Sequence, residues 1–438
     1  MSSSQAPPLP GALNARLSLM MFLQYAIWGA WLPILYPFLT GHRAFTLEQC
    51  GLCLSAGAVG AIVGPFLAGQ VADRKFATER FLGISHLVGA ALVWQLSAAQ
   101  DYRSFLILSL VYGFVYAPTL ALTNSLSFAH LPDRDRDFGR VRLWGTIGWI
   151  AAGIAVGQWL LFKHTPVFEG VAVEEAKALV KQAQDAGRAD AFRLSAVLGV
   201  IMGIYCFTLP HTPPAGGARD RNATLEALGA VRYQPLLTLF LIAVPVSCIH
   251  QFYFVYGSEF LSSYGREAAN TINKIFGVGG GGLMTIGQMS ELFVLGLIPL
   301  VAKSVSRKAL LATGLVAYAG RMALFAYSDS LAPVLAGVAL HGVCFGCFIF
   351  VAFMVVDEET TPGVRASAQN LFNLVIVGIG IIVGSYVSTA VVGARAKGDD
   401  GVMDYTKLFG APMYASLACL AVLLALYPSR SPRRGEIA

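Results

Sequence analysis

Residues 69–75 read Gly-Gln-Val-Ala-Asp-Arg-Lys, a short charged turn that follows a long apolar stretch. A second charged turn, Lys-Ser-Val-Ser-Arg-Lys at 303–308, follows another apolar stretch in the second half of the chain. Each half then carries an acidic loop that ends on a glycine and an arginine, at 139–142 and at 363–365. These correspondences indicate a weak internal repeat, and they predict two related halves.

The composition places both halves in a membrane. The 438 residues are 56% hydrophobic and 13% charged, and the mean hydropathy is +0.63. A soluble domain carries about 25% charged residues, so a soluble enzyme and a nucleic-acid binder are excluded. The formal net charge of +6 is attributed to basic cytoplasmic loops. Most of the seven cysteines lie in apolar runs, so we expect no disulfide framework.

Twelve apolar stretches are long enough to cross a bilayer, which needs roughly 20 residues. Backbone polar groups in lipid must bond within their own segment, so each stretch is predicted to be a helix. The short polar N-terminus lacks a cleavage pattern and is not expected to be a signal peptide. The stretches cover about 17–39, 50–72, 81–99, 105–127, 143–162, 193–210, 235–262, 281–302, 309–327, 331–356, 366–392 and 406–427.

The placement of lysine and arginine predicts the topology. More than half of the 31 basic residues fall in segments on the side of the termini, so both termini are expected in the cytoplasm. The loop 163–193 has helical charge spacing. Residues 1–210 are predicted to form one six-helix bundle and 235–438 a second, joined by a polar linker at 211–234. Two six-helix repeats are typical of transporters that bind solute at the midplane and work by alternating access.

Other membrane functions have less support. No filter-like loop for a channel and no HExxH or GxSxG motif for an enzyme is present in the sequence. A sensor built on a transporter fold would need a signalling tail, and only about eleven residues follow the last stretch. The two CxxC pairs, Cys50/Cys53 and Cys344/Cys347, lack flanking ligands, so we expect no metal site.

Glu291 is the only acid deep inside an apolar stretch, and Gln288 lies on the same helix face. Ionisable groups at membrane depth are functional candidates, because burial favours the neutral form and a nearby cation favours the charged form. Glu291 is therefore the candidate proton carrier. The alternative is a structural hydrogen bond between helices.

Arg142, Thr146 and Trp149 follow one another at helical spacing and share a face. This pattern predicts a polar cavity wall with a fixed positive charge. The alternative is an arginine that reaches back to the interface. Arg321 lies deeper, and for it a structural pairing is at least as well supported as a role in binding.

Aromatic rings accompany amides and hydroxyls in several other stretches, a combination that suits a flat polar ligand. Packing alone is the alternative, and His86 and His250 are expected to be packing residues. The candidates are Gln24 and Trp28 in the first stretch, Tyr116 and Thr119 in the fourth, Gln251 and Phe254 in the seventh, and His341 and Phe345 in the tenth.

Residues 69–74 resemble the G-x-L-A-D-R motif of the major facilitator superfamily. Within that superfamily the chain is similar to the nucleoside:proton symporters. The similarity is carried by residues 22–31 (FLQYAIWGAW), 116–120 (YAPTL), 144–148 (WGTIG), 288–291 (QMSE) and 364–369 (VRASAQ). It covers nearly the whole chain.

The resemblance implies proton-driven nucleoside uptake by a monomer in the cell membrane. It implies no cofactor and no nucleic-acid partner. It implies that Arg142, Thr146, Gln288 and Glu291 line the site, and that Glu291 and Arg142 take part in proton coupling. Gln251 matches a glutamine that contacts nucleoside, and Trp149 and Phe345 match aromatic positions of the site. Asp73 and Arg74 are expected to stabilise one conformation from the cytoplasmic side.

Three positions depart from the family pattern. Phe254 stands in place of an asparagine, Gly346 in place of an aspartate and His341 in place of a tyrosine. Two polar groups for ribose or base are therefore missing, and the proton is expected on Glu291, with or without His341. A sugar, glycoside or drug as cargo is the alternative to a nucleoside.

Overall fold

The computed structural model describes residues 7–67, 76–213, 228–264, 267–361 and 364–428. Within these ranges the chain is helical, and its single pair of bridged residues is Lys397 with Met403. The turn at 69–75, with Asp73 and Arg74, lies outside the described residues. Most of the predicted linker lies outside them as well.

Among the described residues, eleven helical segments are long and apolar enough to cross a membrane. A further apolar helix, α2, has an apolar part, Leu47–Val63, that is shorter than these eleven segments. The prediction of twelve membrane-spanning helices therefore stays a prediction. The helices are α1 (Gly11–His42), α2 (Leu47–Leu67), α3 (Thr78–Ala98), α4 (Tyr102–His130), α5 (Arg134–Lys163), α6 (Val173–Gly187), α7 (Ala189–Cys206), α8 (Leu236–Ser262), α9 (Glu267–Phe276), α10 (Gly281–Val301), α11 (Arg307–Tyr327), α12 (Leu331–Glu358), α13 (Ser367–Ala396) and α14 (Tyr405–Leu426).

Several helices extend beyond the apolar stretches that predict them. Helix α5 begins at Arg134 rather than near 143, because the Asp133 carboxylate accepts a hydrogen bond from the Arg136 backbone N–H and caps the helix. The loop 163–193 contains α6, as its charge spacing predicts. Helix α7 begins at Ala189 and ends at Cys206, earlier at both ends than the predicted 193–210. Hydropathy locates the apolar part of a helix, whereas a cap such as Asp133 sets where the helix begins.

The chain divides into two compact units. The first contains Met1–Gly217 and Val255–Thr285, and the second contains Ala218–Phe254 and Ile286–Ala438. The predicted division at 211–234 stays a prediction.

Close helix crossings in the first unit depend on glycine. Helix α1 packs along α5, α2 along α4 and α3 along α7. At Gly148 an added Cβ would overlap the Phe22 carbonyl, and at Gly29 it would lie 2.8 Å from the Trp149 Cα. Small residues let backbones approach in this way inside membranes, where packing replaces the hydrophobic effect as the cause of helix association. These contacts bring the candidate residues of α1 and α5 together.

A glycine-rich turn between α9 and α10 is held against α5. Gly277, Gly279 and Gly280 have φ of 76°, 82° and 77°, in the left-handed region that favours glycine. The Val278 N–H donates to the Gly157 carbonyl at 3.0 Å, and the Ser258 hydroxyl donates to the Gly279 carbonyl at 2.6 Å. These three glycines therefore serve close packing between the turn and the neighbouring helices.

Replacing Gly277 with alanine is expected to lower the free energy of unfolding by about 2–4 kcal/mol, because a side chain is strained at this φ and its Cβ would overlap the Gly157 backbone. The midpoint of thermal denaturation of the purified protein in detergent measures this loss. Gly139→Ala is the matched control, since nothing lies within 4 Å of a Cβ at Gly139 and alanine suits a helix. Equal midpoints for the two variants would contradict the expectation.

In the second unit α11 packs against α12 and α14. Gly314 lies against Phe348, where an added Cβ would be 2.7 Å from the Phe348 Cβ. Helix α12 widens into a π-helical turn at Phe345–Phe350, and α13 does so at Leu374–Ile379 and Val387–Gly393. Such turns are frequent at functional sites, and the first of them begins at the candidate residue Phe345.

Candidate functional site

The thirteen candidate side chains fall into two clusters, one in each unit. Seven of them are half-buried and six are buried. The first cluster contains Gln24, Trp28, Tyr116, Thr119, Arg142, Thr146 and Trp149, and the second contains Gln251, Phe254, Gln288, Glu291, His341 and Phe345.

Gln24 is the centre of a hydrogen-bond network in the first cluster. Its amide nitrogen donates to the Thr119 hydroxyl at 2.8 Å, and its amide oxygen accepts from His86 Nε2 at 2.8 Å. The Tyr116 hydroxyl donates to the Gln24 backbone carbonyl at 2.5 Å. Both Gln24 and Thr119 are fully buried, with 0% exposure. Because its side chain is bonded at both ends, Gln24 joins α1 to α3 and α4.

An aromatic group lies beside this network. The Trp28 ring contacts the Trp149 ring edge-on, with centroids 5.7 Å apart, and the Tyr116 ring at 6.0 Å. Tyr116 in turn stacks on Tyr112 at 5.2 Å. Trp28 and Trp149 are half-buried, whereas Tyr116 is buried. The two tryptophans therefore retain exposed ring surface, which suits contact with a planar ligand.

Arg142 is held by a ring rather than by an acid. Its guanidinium carbon lies 4.1 Å from the centroid of the Tyr25 ring, and the side chain is half-buried. No carboxylate of the described residues is within 4.0 Å of it. The guanidinium therefore keeps its charge and N–H donors available. Thr146 lies one helical turn away on the same face of α5 and is half-buried.

Glu291 and His341 are paired in the second cluster. His341 Nε2 lies 3.4 Å from Glu291 Oε2, with side-chain exposures of 2% and 15%. On its other side, His341 Nδ1 lies 3.0 Å from Nη1 of Arg321. The Glu291 carboxyl therefore belongs to a connected polar group inside the membrane-spanning helices α10, α11 and α12.

Rings surround this polar group. His250 stacks on His341 with centroids 5.3 Å apart, and Phe254 meets His250 at 5.0 Å and His341 at 5.9 Å. Phe345 stacks on His341 at 6.5 Å. Phe254 and Phe345 are half-buried. Phe254 therefore offers a ring face in a place where an asparagine would offer an amide.

The two glutamines of the second cluster are nearly covered. Gln251 is 9% exposed and lies beside Gly384 of α13, where an added Cβ would be 2.9 Å from the Gln251 Cγ. Gln288 is 6% exposed, and its Oε1 has no hydrogen-bond partner within the described ranges. A buried acceptor without a partner costs about 1–3 kcal/mol, so Gln288 is suited to accept a hydrogen bond from a ligand.

Gly346 lies in apolar surroundings. An added Cβ would be 2.7 Å from Cγ1 of Val294 and 3.7 Å from Cγ1 of Ile298. The space that an acidic side chain would need is therefore taken by α10. This packing gives a physical reason for the glycine at a position where the family pattern has an aspartate.

Restoring the family residue by Gly346→Asp is expected to destabilise the protein by about 2 kcal/mol or more, because the carboxyl would be buried against Val294. Gly346→Ala is the matched control. We expect it to lose less stability, because only its Cβ overlaps Val294. The double variant Gly346→Asp with Val294→Ala is expected to recover part of the stability. Thermal denaturation in detergent measures all three, and a Gly346→Asp midpoint equal to that of the native protein would refute the packing argument.

The described residues contain no group of three or more histidine, cysteine or acidic side chains arranged to hold a metal ion. The cysteine pairs of the sequence are among the free thiols of these ranges, and Cys50, Cys53, Cys344 and Cys347 are buried.

Residues that the sequence interpretation did not choose also belong to the clusters by contact, among them Tyr25, His86, His250, Tyr253 and Tyr318. Tyr25 lies in the quoted segment 22–31, one residue after Gln24, but spacing alone does not pair it with α5. His86, expected to be a packing residue, is buried and donates a hydrogen bond to the Gln24 amide oxygen. Only the tertiary contacts identify these partners.

One family model matches nearly the whole chain, and relatives matched over most of their length are named as nucleoside transporters. The model of the family described as "Nucleoside H+ symporter" matches residues 12–431. The Escherichia coli (strain K12) protein YegT is 31% identical over 383 residues, which is 85% of this chain and 82% of that protein. The nucleoside permease NupG of Escherichia coli (strain K12) is 26% identical over 409 residues, 90% of each chain.

A solved structure shares the fold. The crystal structure of a mutant of the nucleoside transporter NupG superposes with a TM-score of 0.81 at 25% sequence identity. The match covers 95% of this chain and 100% of that one. The chain is therefore similar in sequence and in backbone to nucleoside transporters along nearly its whole length.

Proposed function

The chain belongs to the nucleoside H⁺ symporter family, and from this membership we propose how it carries a nucleoside and a proton across the membrane. It is a multi-pass membrane protein and a proton-coupled nucleoside transporter, not an enzyme. The proton gradient is its energy source, so it needs no bound cofactor. The alternative cargoes, a sugar, a glycoside or a drug, are not favoured by these relatives.

We propose that the protein has the twelve helices of the major facilitator fold, in two six-helix bundles, and works as a monomer in the cell membrane by alternating access. Both termini would lie in the cytoplasm, as the excess of basic residues on that side indicates. Asp73 and Arg74 would stabilise one conformation through loop pairing.

The two clusters are proposed to bind the solute. Their half-buried members are the candidates for direct contact: Trp28, Arg142, Thr146, Trp149, Phe254, Glu291 and Phe345. The buried members would hold these side chains in position, and they would offer polar groups to the solute when the protein opens. They are Gln24, Tyr116, Thr119, Gln251, Gln288 and His341. Rings would stack on the base, and the hydroxyl and amide groups would bond to polar edges of base and ribose.

The carboxyl of Glu291 inside a membrane-spanning helix is the observation that carries the coupling proposal. A carboxyl in this setting changes charge when it binds a proton, so its protonation can be linked to the conformation of the protein. Glu291 would take up a proton and the protein would bind a nucleoside on the outer side of the membrane. The proton and the nucleoside would both be released on the inner side. Arg142 would assist through its fixed positive charge.

Uptake into proteoliposomes that contain the purified protein tests this function. With an inward proton gradient, labelled uridine or adenosine is expected to accumulate, and a protonophore is expected to abolish accumulation. Empty liposomes are the control. Accumulation that is the same with and without the gradient would contradict proton coupling, and no uptake of any nucleoside would contradict the cargo.

A further inference from the structure

Arg321 is a fully buried cation in α11, with 0% exposure. Within the described residues it has no acidic partner within 4.0 Å, and its Nε and Nη2 have no hydrogen-bond partner. Its guanidinium carbon lies 4.4 Å from the Tyr253 ring centroid and 5.3 Å from that of Tyr318. Its one hydrogen bond is to His341 Nδ1, at 3.0 Å.

This hydrogen bond determines which nitrogen of His341 carries the proton. A guanidinium only donates, so the Nδ1 atom that faces it must accept and carries no hydrogen. The proton of a neutral His341 therefore resides on Nε2, the atom 3.4 Å from Glu291 Oε2. Arg321 thus selects the tautomer whose remaining N–H can bond to Glu291.

The same contacts disfavour a positive charge on His341. A proton on Nδ1 would break the bond to Arg321 and place two cations side by side inside the protein. Among the described residues, the other titratable groups near His341 and Arg321 add no negative charge: His250 and Tyr253 of α8, Tyr318 of α11 and the thiol of Cys344. His250 is itself bonded through Nδ1 to the Tyr318 hydroxyl at 2.7 Å.

We propose that Arg321 and His341 form a positioning relay for Glu291. Arg321 holds His341 neutral with its proton on Nε2. The Nε2–H of His341 then donates a hydrogen bond to the Glu291 carboxylate. Glu291 alone then takes up and releases the transported proton, while His341 stays neutral throughout the cycle. The proposal rests on proton-coupled transport through Glu291, but its central claim concerns the histidine tautomer.

Nitrogen NMR of the protein with ¹⁵N-labelled histidine in lipid bilayers tests the tautomer directly. The His341 signals are identified as those lost in His341→Gln. We expect an unprotonated Nδ1 and a protonated Nε2 at every pH at which uptake occurs. A protonated Nδ1 in this range would overturn the relay. This measurement does not require transport, so it decides the relay even if the proteoliposomes take up no nucleoside.

The pH profile of uptake separates positioning from simple packing. A glutamine at position 341 can accept a hydrogen bond from Arg321 and donate one to Glu291, but it does not titrate. A phenylalanine at this position can neither accept nor donate a hydrogen bond. We expect His341→Gln to keep the pH of half-maximal uptake of the native protein, whatever its maximal rate. His341→Phe is expected to move that pH upward by about one unit, since Glu291 loses its donor.

Arg321→Met is expected to move the profile in the same direction as His341→Phe. If Arg321→Met does not fold, the pair of His341 variants still decides the question. Equal pH profiles for His341→Gln and His341→Phe would overturn the relay, and so would a large shift in His341→Gln. In either case normal proton-driven uptake by the native protein would leave the proposed function intact.

Discussion

Replacing Glu291 with glutamine is expected to abolish nucleoside accumulation driven by a proton gradient, with a loss of at least about tenfold, or ~1.4 kcal/mol. Glutamine has nearly the shape of a protonated glutamate but cannot lose a proton. The variant therefore resembles the protonated carrier at every pH. Exchange of labelled for unlabelled nucleoside across the membrane, which needs no net proton movement, is expected to continue.

Both assays can be made on the same proteoliposomes, with and without an imposed gradient. Glu174→Gln is the matched control, because it removes a carboxyl whose side chain is 84% exposed on α6. We expect this control to accumulate nucleoside like the native protein. Accumulation by Glu291→Gln that still responds to the gradient would show that another group carries the proton.

The sequence alone identifies Glu291, because an acid in the middle of an apolar stretch is conspicuous. It does not show that His341 lies between this acid and Arg321. Arg321 and His341 are separated by twenty residues, and they meet only because α11 packs against α12. Side-chain contacts of this kind depend on helix rotation and crossing distance, which hydropathy does not determine.

Helix positions are predicted better than helix ends. Eleven helices long and apolar enough to cross the membrane coincide with predicted stretches, but caps and turns set their limits, as at Asp133. The candidate residues of the first cluster illustrate the same distinction. Helical spacing places Arg142, Thr146 and Trp149 on one face, yet it cannot show that Tyr25 of α1 lies under the Arg142 guanidinium.

Arg142→Ala is expected to reduce nucleoside uptake by about ten- to a hundredfold, because a half-buried guanidinium held on a ring keeps its N–H donors free for solute or for charge balance during proton transfer. Arg142→Lys is expected to recover only part of the rate. Lysine keeps the charge, but it lacks the planar group that stacks on Tyr25 and donates along two edges.

Initial rates of uptake over a range of nucleoside concentrations measure the effect. Arg140→Ala is the matched control, since Arg140 is an exposed arginine of the same helix two residues away.

The test also separates the two interpretations of Arg142. If the side chain only reaches back to the membrane interface, lysine would replace it fully. A full rate for Arg142→Lys would therefore contradict the cavity role, whereas a large deficit in that variant and a normal rate for Arg140→Ala would support it.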